Sequence, residues 1–153
     1  MAAEYVANAV QAVNLNQPVI FTASIPCRNG YIYHEDETGI FILRGKVNNQ
    51  CANFAVYQVT FNGNIAIPTG GTAGSIAVAI AVNGEPKPSS RAIITPAAVE
   101  EYGNVTSTAI IKVPRGCCFT LSIDSVPASA DAAVTPAPVI NVQNATIVFN
   151  RIA

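Results

Sequence analysis

Between Cys51 and Phe61 the chain reads CANFAVYQVTF, with Ala55, Tyr57, Val59 and Phe61 on one parity and Phe54 and Val56 on the other. Successive strand residues point to opposite faces, so apolar side chains on both parities predict a strand with a core on one side and a neighbour on the other. Ser75 to Val82 (SIAVAIAV) predicts a second such strand, with larger side chains on one face and Ala77, Ala79 and Ala81 on the other. Asn62-Gly63 and Asn83-Gly84 are turn signals, because both residue types tolerate positive φ. Pro86 and Pro88 exclude a central strand after the second turn. Pro96 to Tyr102 has the composition of one helical turn. Asn104 to Val113 and Cys117 to Ile123 predict a hairpin around Pro114-Arg115-Gly116, and residues 128–138 read as an Ala/Pro-rich surface loop. Val139 to Ile152 predicts a last strand whose parity slips at Gln143-Asn144, as at a bulge.

The first 16 residues are ambiguous, since Val6, Val10 and Val13 sit at helical spacing while Val13, Leu15, Val19 and Phe21 share a strand's parity. They are read as an N-terminal arm (1–16) before one domain (17–153), with Tyr5, Val6, Val10 and Val13 as candidate attachment residues. The whole predicts an all-β, two-sheet jelly-roll sandwich of about eight to ten strands.

Composition sharpens this. Half of the 153 residues are hydrophobic (50%) and only 11% are charged, against roughly 25% in an average soluble domain. Strands apolar on both faces, with so few charges to solvate the surface, predict a closed oligomer, taken as a trimer. Its candidate interface residues are Phe54, Val56, Tyr57, Val59, Phe61, Ala77, Ala79, Ala81, Ile147 and Phe149. A net charge of −1, with 8 Lys and Arg scattered along the chain, argues against nucleic acid and anionic membranes as partners. No uninterrupted apolar run has the length of a membrane helix, and the N-terminus lacks the pattern of a signal peptide.

Candidate chemistry is sparse. Cys117 and Cys118 are adjacent, so in a strand they face opposite ways and do not converge on one metal; Cys117 is expected in the core with Phe119, Leu121 and Ile123. Cys27 and Cys51 leave two readings open, a disulfide or two free thiols. Glu35-Asp36-Glu37 beside His34 reads as a solvated hairpin tip, with Ca²⁺ ligation the alternative. One histidine, no nucleophile elbow and no phosphate loop give no support to an enzyme or to a cofactor.

The order TFNGNIAIPTGG, SIAVAIAVNGEPKPSS, TSTAIIKVPRGCCFTLSI and VQNATIVFNRIA resembles the tumour-necrosis-factor and complement-head type of trimeric jelly roll. The segments AEYVANAVQAVNLNQPVIFT and PRGCC extend that resemblance to small structural proteins of bacteriophages of Firmicutes. What it implies is a non-enzymatic homotrimer assembled in the bacterial cytoplasm and carried on the virion surface, as capsid decoration or head-fibre, with a capsid or other virion protein as partner. The alternative is a trimeric module that binds host-surface glycans through the loops Thr69 to Gly74 and Pro86 to Arg91. The chain departs from many such heads in lacking a collagen-like stalk.

Overall fold

The computed structural model describes residues 2–25, 30–128 and 139–153. Twelve strands occur among them: β1 (Ala2–Ala7), β2 (Gln11–Val13), β3 (Ala23–Ile25), β4 (Ile32–His34), β5 (Phe41–Arg44), β6 (Phe54–Ala66), β7 (Ile76–Val82), β8 (Glu85–Pro86), β9 (Ala92–Ile94), β10 (Gly103–Pro114), β11 (Cys118–Val126) and β12 (Ile140–Arg151). They form two antiparallel sheets packed face to face, a jelly-roll sandwich. One sheet runs β10-β6-β12-β1-β3, with β2 also on β12; the other runs β4-β5-β11-β7-β8, with β9 on β7.

The long strands explain themselves. In β6 the parity Ala55, Tyr57, Val59, Phe61 is wholly buried, and its partners β10 and β12 bury Val105, Ala109, Ile111 and Val113, and Ile147 and Phe149. Apolar side chains at period two therefore line one face of a continuous antiparallel ladder. The expected bulge is present: the β12 register shifts between Gln143 and Thr146, and Asn144 takes φ 54°. The Asn83-Gly84 turn is present too, with φ 52° and 82°, and Pro86 lies on the edge strand β8.

Four expectations change. Residues 2–7 are a strand, not an arm, because Ala3, Tyr5 and Ala7 alternate into the core while β1 pairs with β12 along its whole length. Asn62-Gly63 lies inside β6. Gly63 faces inward, and a Cβ there would come 2.9 Å from the Phe61 ring, so this glycine makes room rather than a turn. Pro114-Arg115-Gly116 does turn the chain, with Gly116 at φ 78°, but β10 and β11 lie in different sheets, so the turn crosses the sandwich instead of closing a hairpin. It packs against Gly45, where a Cβ would stand 1.9 Å from the Pro114 carbonyl oxygen. Residues 96–102 form a turn with Glu100 at φ 59°, and the one-turn 3-10 helix is Pro88–Ser90.

The core joins the sheets through a ring cluster. Phe41 of β5 lies 4.8 Å from Tyr5, 4.9 Å from Phe149, 5.5 Å from Phe21 and 4.5 Å from His34. A smaller cluster, Ala77, Ala79 and Val126 with Ala128, covers the opposite face of β7 and β11.

Candidate subunit interface

The surface that stands out is the outer face of the β10-β6-β12-β1-β3 sheet. Alternation that sends Tyr57, Phe61 and Phe149 inward must send their neighbours outward. At one end these are Phe54, Ile110, Val148 and Ile152, with relative exposures of 47%, 49%, 36% and 55%. The register brings them close: Ile110 lies opposite Gln58, Val148 opposite Thr60, and Ile152 donates its backbone N–H to Val56 O at 2.8 Å.

Towards the other end the face turns polar but stays uncharged. Asn104 Nδ2 donates to Asn62 Oδ1 at 2.9 Å and to Asn64 Oδ1 at 3.2 Å, Thr106 Oγ1 donates to Asn62 Oδ1 at 3.0 Å, and the Thr60 and Thr108 hydroxyls are 3.3 Å apart. Side chains tied to one another in this way are held in place before any partner arrives. Charged residues on this face, among the described strand positions, are Glu4 and Lys112.

The structure separates the interface candidates. Phe54 and Val56 lie on this outer face. Tyr57, Val59, Phe61, Ile147 and Phe149 point into the core of their own chain, each 0% exposed, and Ala77, Ala79 and Ala81 are covered within the same chain. Ile110, Val148 and Ile152 were not expected from the sequence, although their parity relative to Ile111, Ile147 and Phe149 is the signal that finds them. Of the arm candidates, Tyr5 and Val13 are core residues, Val6 is half-buried on the outer face, and Val10 is exposed.

The candidate chemical groups do not converge. Cys117 and Cys118 are both exposed, because Cys117 belongs to the turn and β11 begins at Cys118, so the expectation of a buried Cys117 is corrected. Cys51 is an exposed thiol, while Cys27 and the loop at residues 129–138 lie outside the described residues. His34 Nε2 donates to Thr38 O at 2.9 Å and its ring stacks on Phe41, so the imidazole serves the hairpin. Among the described residues no group of three His, Cys, Asp or Glu side chains could hold a metal ion. Thr22, Ala23, Ser24, His34, Asp36 and Glu37 line a shallow cleft of ≈ 320 Å³ beside the acidic tip. Asp124 lies on β11 and accepts a hydrogen bond from Ser122 Oγ at 2.8 Å, and burial raises its pKa above the ordinary carboxylate value.

No protein-family model and no curated protein sequence matches the chain. Solved structures do match in fold. The globular domain of a zebrafish complement 1qA protein superposes with a TM-score of 0.62 at 16% identity, covering 99% of this chain and 97% of that one. The Eiger TNF of S. frugiperda gives a TM-score of 0.63 at 10% identity over 100% and 92%. Murine APRIL gives 0.52 at 10% identity over 93% and 98%.

Proposed function

We propose that the chain is a non-enzymatic homotrimeric head whose subunits meet through the outer face of the β10-β6-β12-β1-β3 sheet, and that it serves on a virion surface as capsid decoration or the head of a fibre. The observation that carries the assembly is the apolar end of that face: Phe54, Ile110, Val148 and Ile152 stand about half exposed on a rigid ladder. Fully covering a side chain of this kind contributes about 1.5–3 kcal/mol, so covering the exposed half of each contributes roughly 1 kcal/mol. A ladder with two charges and a preordered Asn/Thr network leaves few ions to desolvate on association. The resemblance in segment order to trimeric heads supports three subunits, and the resemblance to phage structural proteins supports the virion surface.

The test is substitution on the two sheets. Ile110→Glu and Val148→Glu place carboxylates in the contact and should yield monomers. Tyr33→Glu and Ile93→Glu, at side chains 51% exposed on the other sheet, should leave the assembly intact. Equal behaviour of the two pairs in sedimentation would remove this face as the interface. For the virion assignment, gold-labelled antibody should decorate intact particles; label confined to particle-free fractions would oppose it.

A further inference from the structure

Cations that are dispersed in the sequence are gathered by the fold. Arg44 ends β5 and Lys46 follows it, Arg115 follows β10, and Arg151 ends β12, so four of the chain's 8 Lys and Arg reach one end of the sandwich. The contacts are direct. The Arg151 guanidinium carbon lies 4.1 Å and Lys46 Nζ 5.4 Å from the centroid of the Tyr31 ring, and Arg151 Nη2 donates to Lys46 O at 2.7 Å. The Gly45 N–H donates to Cys117 O at 2.7 Å and the Gly116 N–H to Gly45 O at 3.0 Å, which sets Arg115 beside the Arg44 to Lys46 stretch. Arg115 Nη1 in turn donates to Gln50 O at 2.6 Å.

The described segments that meet here, residues 30–31, 44–54, 113–118 and 150–153, contain no Asp or Glu, and the β7–β8 turn at the same end of the sandwich adds one exposed carboxylate, Glu85. Arg44, Lys46 and Arg115 are exposed. A chain of net charge −1 thus carries a local positive field.

We propose that this end is a docking surface for an anionic polysaccharide bearing carboxylate or sulfate groups. Two features select a saccharide over nucleic acid. Beside the cations, the exposed loop Asn48-Asn49-Gln50 holds Asn48 Oδ1 on the Tyr31 hydroxyl at 2.9 Å and Asn49 Oδ1 on the Cys51 N–H at 3.0 Å, which fixes the two Asn amides with their NH2 groups as donors to hydroxyls such as every sugar ring carries. The ring that Arg151 and Lys46 cover, Tyr31, is 7% exposed and offers bases no stacking platform, and the exposed ring nearby, Phe54, belongs to the outer face proposed as the subunit contact. The inference concerns one subunit and does not need the trimer; if three copies associate about an axis along the sandwich, the ends add and avidity rises.

Heparin and polygalacturonate serve as anionic glycans, dextran as the neutral glycan, and a single-stranded oligonucleotide of matched charge as the nucleic acid, titrated against the full chain at ~20 mM salt, where screening is weak. Both anionic glycans should bind and dextran should not. Lys46→Glu/Arg115→Glu should lower glycan affinity at least tenfold and reduce the log–log salt slope by about 2, one per lost ion contact. Lys87→Glu, on the linker between β8 and the 3-10 turn, should change affinity less than twofold. Circular dichroism of each variant confirms the fold. No glycan binding, tighter binding of the oligonucleotide, equal binding of dextran, or an equal loss in Lys87→Glu would each overturn the inference. A monomeric wild type that binds the glycans would overturn the trimer and leave this surface standing.

Discussion

Tyr5→Ala separates a strand from a tether. Tyr5 is 3% exposed, and its ring lies 4.8 Å from Phe41, 5.0 Å from His34 and 5.9 Å from Phe149, so it touches side chains of both sheets. Truncating a fully buried aromatic to alanine costs about 3–5 kcal/mol, from lost burial and from the cavity left behind. Total stability for a domain of this kind is about 5–15 kcal/mol, so one substitution near the N-terminus removes roughly a fifth of it at the least. With a urea m-value of about 2 kcal/mol/M the midpoint should fall by roughly 1.5–2.5 M. Tyr5→Phe keeps the ring contacts and should lose only about 1 kcal/mol with the hydroxyl. Both are read by urea denaturation followed by circular dichroism, at one protein concentration, because association couples stability to concentration. A midpoint for Tyr5→Ala within about 0.3 M of wild type would refute the placement of β1 in the core and restore residues 1–16 as a tether.

Native protein should react with a thiol reagent at Cys117 and Cys118 without denaturant, and Cys117→Ala and Cys118→Ser should each shift stability by under about 0.5 kcal/mol, as exposed positions do; thiols that react only after unfolding would show them buried. Asp124 has a carboxyl held more protonated in the folded than in the unfolded chain by burial, which outweighs the opposing Ser122 hydrogen bond. Its contribution is therefore fully present below the unfolded value near 3.8 and is lost as pH rises through the folded value. Asp124→Asn keeps an acceptor for Ser122 and should melt above wild type at pH 7, with the gap closing towards pH 4; a gap that widens on acidification reverses the sign and refutes the argument.

The two-sheet architecture was legible because period-two alternation in β6, β10 and β12 is long and strong. The bulge showed as a parity slip at Gln143-Asn144, and Pro86 showed as an edge. β1 was obscured because its inward residues are Ala3, Tyr5 and Ala7, two of them too small to mark a period, while Val6, Val10 and Val13 imitate a helix. Asn62-Gly63 carries a turn's composition but is spent on the Phe61 ring, a tertiary reason that local propensity does not contain. Cys117 was assigned to the face of Phe119 by extending strand parity one residue beyond the strand's start. The basic end was hidden most completely, since Arg44, Lys46, Arg115 and Arg151 become neighbours only when β5, β10 and β12 end together. The interface candidates divide for a related reason: two-sided apolar strands show that two faces are used, which places Phe54 and Val56 on the outer face, and only the fold shows that Ala77, Ala79 and Ala81 of β7 are covered within one chain.

The most direct measurement is native mass spectrometry of the wild-type chain at micromolar concentration, with Val148→Glu alongside. A wild-type species of three copies of the 15.9 kDa chain, falling to one copy in the variant, is the predicted result. A wild-type monomer, or a trimer unchanged by Val148→Glu, would contradict the account.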